Sequence, residues 1–378
     1  MGVTAVDYLV VGSGLTGSTI ARRLADAGRE VLVLERRPAT GGNVRDSLHP
    51  SGVRVGIYGP HYFRCSSPRI WDFVNRFAEF EPFHARVLAL VDGAYEDWPV
   101  NWRHVERYRD WQPPTARRQP RNFEEACLQK VPPQIYRSMI EGYTRKQWGA
   151  DPRTLSPELA RRIRVNPPDT HSLAPHRRHQ ALPVGGYARW MDAMLDGIPC
   201  LRGVDFLERR DEFRARKLLV STGSVDEFFG FDEGRLGYRS QRRTECFHPD
   251  CDLMQPCVQV NHPNGEADAP IRTIEWKHLL PPDQRPGVQG TVITSEHPYS
   301  PGDPDAFEYP FPNPANAALY RRYRARAGRI SNLLICGRLG DYQYYDMDHA
   351  IGRALMMADR LLKVDRTATP RNRSLVPT

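Results

Sequence analysis

Four apolar residues in a row, Tyr8-Leu9-Val10-Val11, run straight into a glycine-rich turn, and apolar positions then recur with helical period from Thr16 to Ala27. Gly28 ends that stretch in the manner of a C′ glycine. Val31-Leu32-Val33-Leu34, closed by Glu35, reads as a second buried strand, so the start is predicted to be βαβ. From about Trp71 to Trp148 the spacing predicts mostly helix, broken by prolines at 82, 99, 113, 114, 120, 132 and 133. From about Arg161 to Tyr309, short alternating runs such as Cys257-Val258-Gln259-Val260 and Thr291-Val292-Ile293-Thr294 predict antiparallel sheet. Leu333 to Cys336 is a buried strand again, Met347 to Lys363 an amphipathic helix, and 364–378 a frayed tail. No internal repeat is visible.

Composition narrows the class. At 378 residues the chain exceeds one ordinary domain, and 40% hydrophobic with 26% charged residues describes a globular protein. No apolar run approaches the roughly 20 residues of a membrane span. The first strand also leaves no room for a signal peptide, so a cytoplasmic protein with no membrane partner is expected. The net charge is +8, and only five of 53 basic residues are lysines. No basic stripe or tail stands out, so a nucleic-acid partner is not expected. Arginine does suit anionic ligands, because its planar fork matches phosphate oxygens two at a time. The seven cysteines form no CxxC pair, and Cys246, His248, Cys251 and Cys257 fit no familiar zinc spacing. Reduced thiols and no metal are expected.

The chemistry begins at Gly12-Ser13-Gly14-Leu15-Thr16-Gly17, between the first strand and its helix. The first glycine makes the tight turn, the second lets the backbone approach a pyrophosphate, and the third allows close helix–strand packing. The helix N-terminus then faces the phosphates, and Glu35 can accept hydrogen bonds from ribose hydroxyls. A purely structural tight turn is the competing reading. A second glycine pair, Gly41-Gly42, follows six residues after Glu35, as in two-domain FAD proteins, and the chain ends with strand, Gly340-Asp341 and helix. FAD is therefore expected, with the last helix aiming its positive end at the reduced flavin. The fold class expected is α/β: a Rossmann-like FAD-binding domain with an inserted helical domain and an antiparallel β-sheet domain. The boundaries expected are 1–78, 186–230 and 327–378 for the discontinuous FAD-binding domain and 101–160 for the helical insert. The sheet or substrate domain would take 79–100, 161–185 and 231–326.

Seven further segments, in order, resemble one family: "YGPHYF" (58–63), "VNW" (100–102), "GYTRKQWG" (142–149), "LPVGGY" (182–187), "YRS" (238–240), "EYP" (308–310) and "GRLGDYQYYDMD" (337–348). The chain is similar to UDP-galactopyranose mutases from about residue 6 to 363. The resemblance implies a flavin-dependent isomerase that interconverts the pyranose and furanose forms of a nucleotide-activated sugar. In it, N5 of reduced FAD attacks the anomeric carbon and UDP leaves and returns. It implies catalytic roles for His61, Arg178, Arg239, Tyr309, Tyr344 and Asp346. Cofactor contacts are implied for Gly12, Gly14, Leu15, Thr16, Glu35, Arg36, Gly42, Asn43, His61, Thr222, Gly337, Arg338, Asp346 and Met347. Substrate contacts are implied for Asn101, Tyr143, Trp148, Arg178, Tyr187, Arg239, Asn261, Tyr309, Arg338 and Tyr344. Two arginines suit an expelled diphosphate better than one, and flat aromatic faces hold a base without demanding its full hydrogen-bond pattern. An external reductant, NAD(P)H or a reductase, and a homodimer are also implied.

The chain departs from the family pattern at Gly56 and Trp276, where histidines are usual, at Pro60 for alanine, at His179 for tyrosine, and at Asp348-His349. These changes fall on the flavin and sugar side, which leaves open the same chemistry on another UDP- or dTDP-sugar. An FAD-dependent oxidoreductase and a non-catalytic nucleotide-binding protein are the readings from other classes.

Overall fold

The computed structural model describes residues 2–114, 119–168, 172–264 and 269–368. The βαβ start is present as β1 (Thr4–Val11), α1 (Leu15–Asp26) and β2 (Val31–Glu35). Both strands join a five-stranded parallel sheet in the order 200–202, β2, β1, 213–221, 333–335. Three widely separated stretches of chain thus build one sheet. β2, 333–335 and the Tyr8–Val11 end of β1 read as apolar runs because both faces of the sheet are covered there. On one face Val10 and Val33 pack with Ile20 and Leu24 of α1 and with Ala354 of the terminal helix. On the other, Leu9, Leu32 and Leu34 meet Tyr323 and Ala327 of the helix Pro314–Ala327.

A seven-stranded sheet stands beside it, in the order 309–310, 238–248, 291–299, 272–275, 259–261, 87–91, 94–98. Every pairing is antiparallel except 259–261 with 87–91. A smaller sheet places Phe63–Cys65 and Phe80–Pro82 on either side of His179–Pro183. The stretch 71–148 is therefore less helical than its spacing predicts, since it contains three strands. Val87-Leu88-Ala89-Leu90-Val91 has no polar break, and a short apolar run cannot be told from helix by period alone. After the end of the helix Pro68–Val74, helix resumes at Trp102 and ends in a continuous run from Pro133 through a π-helical turn (Tyr136–Glu141) to Trp148.

The terminal helix starts at Met347 and continues to Ala368, five residues past the expected end; 369–378 lie outside the described residues. No helix among the described residues is long and apolar enough to cross a membrane. The cysteines are free thiols.

The third glycine of the turn shows how tightly α1 is docked. A Cβ on Gly17 would lie 1.9 Å from the Gly12 carbonyl oxygen. Because that neighbour is backbone, the helix itself must move. Gly17→Ala is expected to lower stability by about 1–3 kcal/mol and to weaken cofactor retention, measured by thermal unfolding and by flavin content after purification.

Candidate active site

The glycine turn and the ends of the parallel strands enclose a cavity of about 180 Å³. Gly12 takes φ +97°, a left-handed turn that suits glycine. A Cβ on Gly42 would lie 2.9 Å from the Gly14 Cα, so the two glycine stretches pass back to back. No side chain caps α1, which leaves its first-turn amides to a ligand. At the end of β2 the Glu35 carboxylate accepts from the Ser13 amide (2.9 Å), the Ser13 hydroxyl (2.6 Å) and the Arg37 amide (2.9 Å). These bonds fix its direction and leave lone pairs for ribose hydroxyls. A close-packed backbone floor, free amides and an oriented carboxylate fit a dinucleotide such as FAD.

The cavity is lined by Gly12, Gly14, Leu15, Thr16, Glu35, Arg36, Gly42, Asn43, His61, Thr222, Gly337, Arg338 and Met347. Of the expected cofactor residues, Asp346 alone lines the other cavity instead. Arg36 reaches the wall with its fork spent: it bonds Glu227 twice (2.9 and 2.8 Å) and Asp305 at 3.0 Å.

A second cavity, about 470 Å³, lies between the helical segment and the sheets. Arg64, Arg161, Arg162, Arg164, Arg177 and Arg272 line it together with Tyr143, Trp148, Tyr309 and Tyr344, and among the described residues Asp346 is its one lining carboxylate. Tyr309 and Tyr344 stack at 5.6 Å and 9°. The Arg162 guanidinium lies 3.8 Å over the Tyr344 ring, and Arg338, from the first cavity, lies 5.2 Å over the same ring. Burial opposes ionisation of the Tyr344 phenol, yet Arg162 and Arg338 pull its pKa below the usual tyrosine value. Burial raises the Tyr309 phenol instead.

The Asp346 carboxylate stands 3.8–3.9 Å from Arg64, Arg162 and Arg177. Burial works against its charge, but Arg162 and Arg64 hold it ionised, below the ordinary carboxylate value. Arg272 is fixed by Glu296 at 2.5 Å, and Glu296 in turn accepts from Arg243 at 2.9 Å. His61 shares a partition with Arg338, its Nδ1 3.0 Å from the Gly59 carbonyl oxygen. Burial, then the Arg338 and Arg243 charges, push its pKa down to about 3, so the imidazole is neutral.

Several expected substrate residues do other work. Arg239 spends its guanidinium on the carbonyls of Gln147 (2.8 Å) and Lys146 (3.1 Å) and on the Ser300 hydroxyl (2.7 Å). It therefore ties down the C-terminal turn of the helix Gly142–Trp148, which carries Tyr143 and Trp148, and is not among the cavity-lining residues. Arg178 is exposed, with its amide donating to Ser66 Oγ, and its neighbour Arg177 lines the cavity instead.

Asn101 caps the helix Trp102–Glu106 reciprocally with His104. Asn261 is 1% exposed and accepts from Gln259. The Tyr187 hydroxyl donates to the His61 carbonyl oxygen at 2.8 Å, bracing that loop from behind. Sequence reasoning missed Arg64, Arg162, Arg177 and Arg272. Only Arg272 carried a signal, since it stands just ahead of the distinctive Glu275-Trp276-Lys277-His278 stretch.

The departures also find partners. A Cβ on Gly56 would sit 2.9 Å from the Trp276 ring and 2.3 Å from the Gly59 oxygen. Trp276 is 2% exposed and donates to Thr294 Oγ1 at 2.7 Å, so the large residue at 276 requires none at 56. His179 stacks on Trp71 at 4.2 Å and 6°. Asp348 pairs with Arg177 at 2.6 Å. The structure gives Pro60 no evident role.

A family model described as UDP-galactopyranose mutase matches residues 138–344, and one described as an NAD(P)-binding Rossmann-like domain matches 10–77. A probable UDP-galactopyranose mutase of Klebsiella pneumoniae is 32% identical over 375 residues, 94% of each chain. The dTDP-fucopyranose mutase of Escherichia coli is 28% identical over 94% of this chain and 98% of its own. Among solved structures, a reduced UDP-galactopyranose mutase superposes with a TM-score of 0.76 over 95% of this chain and 94% of its own. At 14% identity that match speaks to the fold alone.

Two outcomes are expected from this geometry. Gly56→Ala meets a backbone carbonyl as well as the indole, and is expected to lose about 1–3 kcal/mol in denaturant unfolding. His61 keeps a folded pKa near 3 against an ordinary 6.5, so the unfolded state takes up its proton first and stability falls as pH drops from 6.5 toward 3. In a pH series of unfolding free energies, His61→Gln is expected to show a shallower acid-side decline than wild type.

Proposed function

The chain belongs to the UDP-galactopyranose mutase family, and from that premise we propose that it interconverts the pyranose and furanose forms of a nucleotide-activated sugar, UDP-galactose first among them. The observation that carries this reading is the junction of two unlike cavities. A glycine-floored dinucleotide cradle meets an arginine-lined chamber across Arg338. FAD, when bound and reduced, supplies a nucleophilic N5 for the anomeric carbon.

The chain's own residues do the rest. Arg272, Arg162 and Arg64 hold the diphosphate that leaves and returns, and the partial burial of Arg272 and Arg64 strengthens those two charges. Tyr143 and Trp148 offer flat faces to the base. Tyr309 and Tyr344 wall the sugar, with the Tyr344 Oη proton the more labile of the two. His61 presents a neutral ring. Met347 and Ala350 bring the positive end of the terminal helix to the cofactor cavity, where it favours an anionic reduced flavin. An external reductant, NAD(P)H or a reductase, keeps the flavin in that state, and the working unit is a homodimer in the cytoplasm. The three-part division expected above remains our proposal for the domains. In it the nucleotide sugar sits between the helical insert and the sheet.

A dTDP-linked sugar is the second reading. It is favoured by the similarity to the fucopyranose mutase across nearly the whole chain and by stacking faces that accept uracil or thymine alike.

The test is furanose formation, followed by chromatography, from UDP- and dTDP-pyranoses with dithionite-reduced and oxidised enzyme. Turnover by reduced enzyme alone, without net flavin oxidation, is expected. Stoichiometric reduction of the flavin by substrate would make the protein an oxidoreductase. Arg272→Ala is expected to lower kcat/KM by about 100-fold, roughly 2.7 kcal/mol, with flavin retained. Gly14→Val is expected to purify without FAD. Arg178 enters only through the family resemblance, and an Arg178→Ala enzyme with unchanged kcat/KM would remove it from the site.

A further inference from the structure

We propose that Arg177 is a diphosphate-binding residue of this protein and that Asp348 positions it. The inference rests on the nucleotide-sugar reading above and assigns to that site a pair of residues on which the family resemblance is silent or discordant.

Three basic residues follow one another at His176-Arg177-Arg178, just ahead of the strand His179–Pro183. Arg178 turns outward, and Arg177 lines the arginine chamber. Its side chain is 18% exposed, with Nη1 2.6 Å from Asp348 Oδ2 and Nη2 3.8 Å from Asp346 Oδ2.

Asp348 lies in the first turn of the terminal helix and is 3% exposed. Its Oδ1 is buried and accepts no hydrogen bond from the described protein atoms. A buried carboxylate with one oxygen unpaired is costly unless a cation stands against it, and Arg177 is the cation that its other oxygen engages. The pairing also runs the other way. The carboxylate rides on a long helix docked against the parallel sheet, so it holds the guanidinium at a fixed place on the chamber wall.

A guanidinium has five N–H donors, and the close bond to Asp348 occupies one of its two terminal nitrogens. The other nitrogen points to the same group of side chains, Asp346 with Arg64 and Arg162, that forms the anion-attracting centre of the chamber. An arginine already immobilised loses less side-chain freedom when an anion arrives, and its fork suits two phosphate oxygens together. The same pairing meets the charge of Asp348, which would otherwise stand uncompensated in the first turn of the helix that faces the cofactor cavity.

The experiment is calorimetric titration of the oxidised holoenzyme with UDP, with uridine as the probe lacking phosphate. Arg177→Ala is expected to weaken UDP by about tenfold or more and leave uridine unchanged, with Arg177→Lys recovering part of the loss. Asp348→Asn is expected to give a smaller loss in the same direction. Because a lone truncation leaves a buried charge unpaired, Arg177→Gln combined with Asp348→Asn keeps shape and hydrogen bonding for comparison, with flavin content and thermal unfolding as fold controls. The reversed pair, Arg177→Asp with Asp348→Arg, separates binding from structure. It is expected to recover thermal stability and not UDP affinity.

Wild-type UDP affinity in the Arg177 variants, or recovery of UDP affinity in the reversed pair, overturns the assignment while the mutase reading stands. Failure of wild type to bind either UDP or dTDP overturns both.

Discussion

Gathering several guanidinium groups around one chamber is the constraint to which much of this structure answers. Arg64, Arg162, Arg177 and Arg272 converge on a partly dry wall, where like charges repel and each has lost part of its hydration. They are kept there by carboxylates set on rigid elements: Asp346 and Asp348 at the start of the terminal helix, and Glu296 in the middle of a central strand. Glu296 is fully buried and is shared between Arg272 and Arg243, and Arg243 also bonds Glu308 at 2.7 and 2.9 Å. Such a network adds little net stability compared with an apolar core. What it supplies is direction, because each guanidinium has a fixed partner on one side and the chamber on the other.

The rest of the architecture brings that chamber to the glycine cradle. The parallel sheet delivers the turn after β1, the carboxylate ending β2 and the Gly337 turn after its last strand to one edge. The terminal helix begins where the two cavities approach, so Met347 faces one while Asp346 faces the other. Neighbouring residues at a helix start project in different directions, and this chain uses that divergence to serve cofactor and substrate from a single turn. His61 and Arg338 sit at the junction. Burial, reinforced by the surrounding arginine charges, keeps the imidazole neutral, and arginine charge outweighs burial to make the Tyr344 phenol more acidic, so positive charge favours loss of a proton at both groups.

Much of the cofactor side was legible before any coordinates. Backbone geometry demands glycine at Gly12, through its left-handed φ, and at Gly17, through the close Gly12 carbonyl, so local requirement and sequence signal coincide there. The substrate side was less legible, since an arginine's motif membership says nothing about where its fork points. Arg239 belongs to a distinctive tripeptide and yet caps the end of a helix. Arg272 belongs to none of the quoted motifs and yet faces the chamber. Between the adjacent arginines Arg177 and Arg178 the choice is made by the path of the chain into the next strand, a property of the assembled sheets. The departures behaved in the same way. Gly56 and Trp276 look like two independent losses along the chain, and in space they are one exchange of volume.

The sequence by itself determined the βαβ beginning, the return of strand and helix at the end, the dinucleotide turn and the family. Each of these rests on residues close together in the chain or on motifs in a fixed order. Tertiary structure alone decided which guanidiniums meet in the chamber, why the helix start tolerates Asp348, and that the run at 87–91 is a strand. Those outcomes depend on partners 24 to 172 residues away, brought within hydrogen-bond reach only by packing. Charge is written along the chain, and its direction is set by the fold.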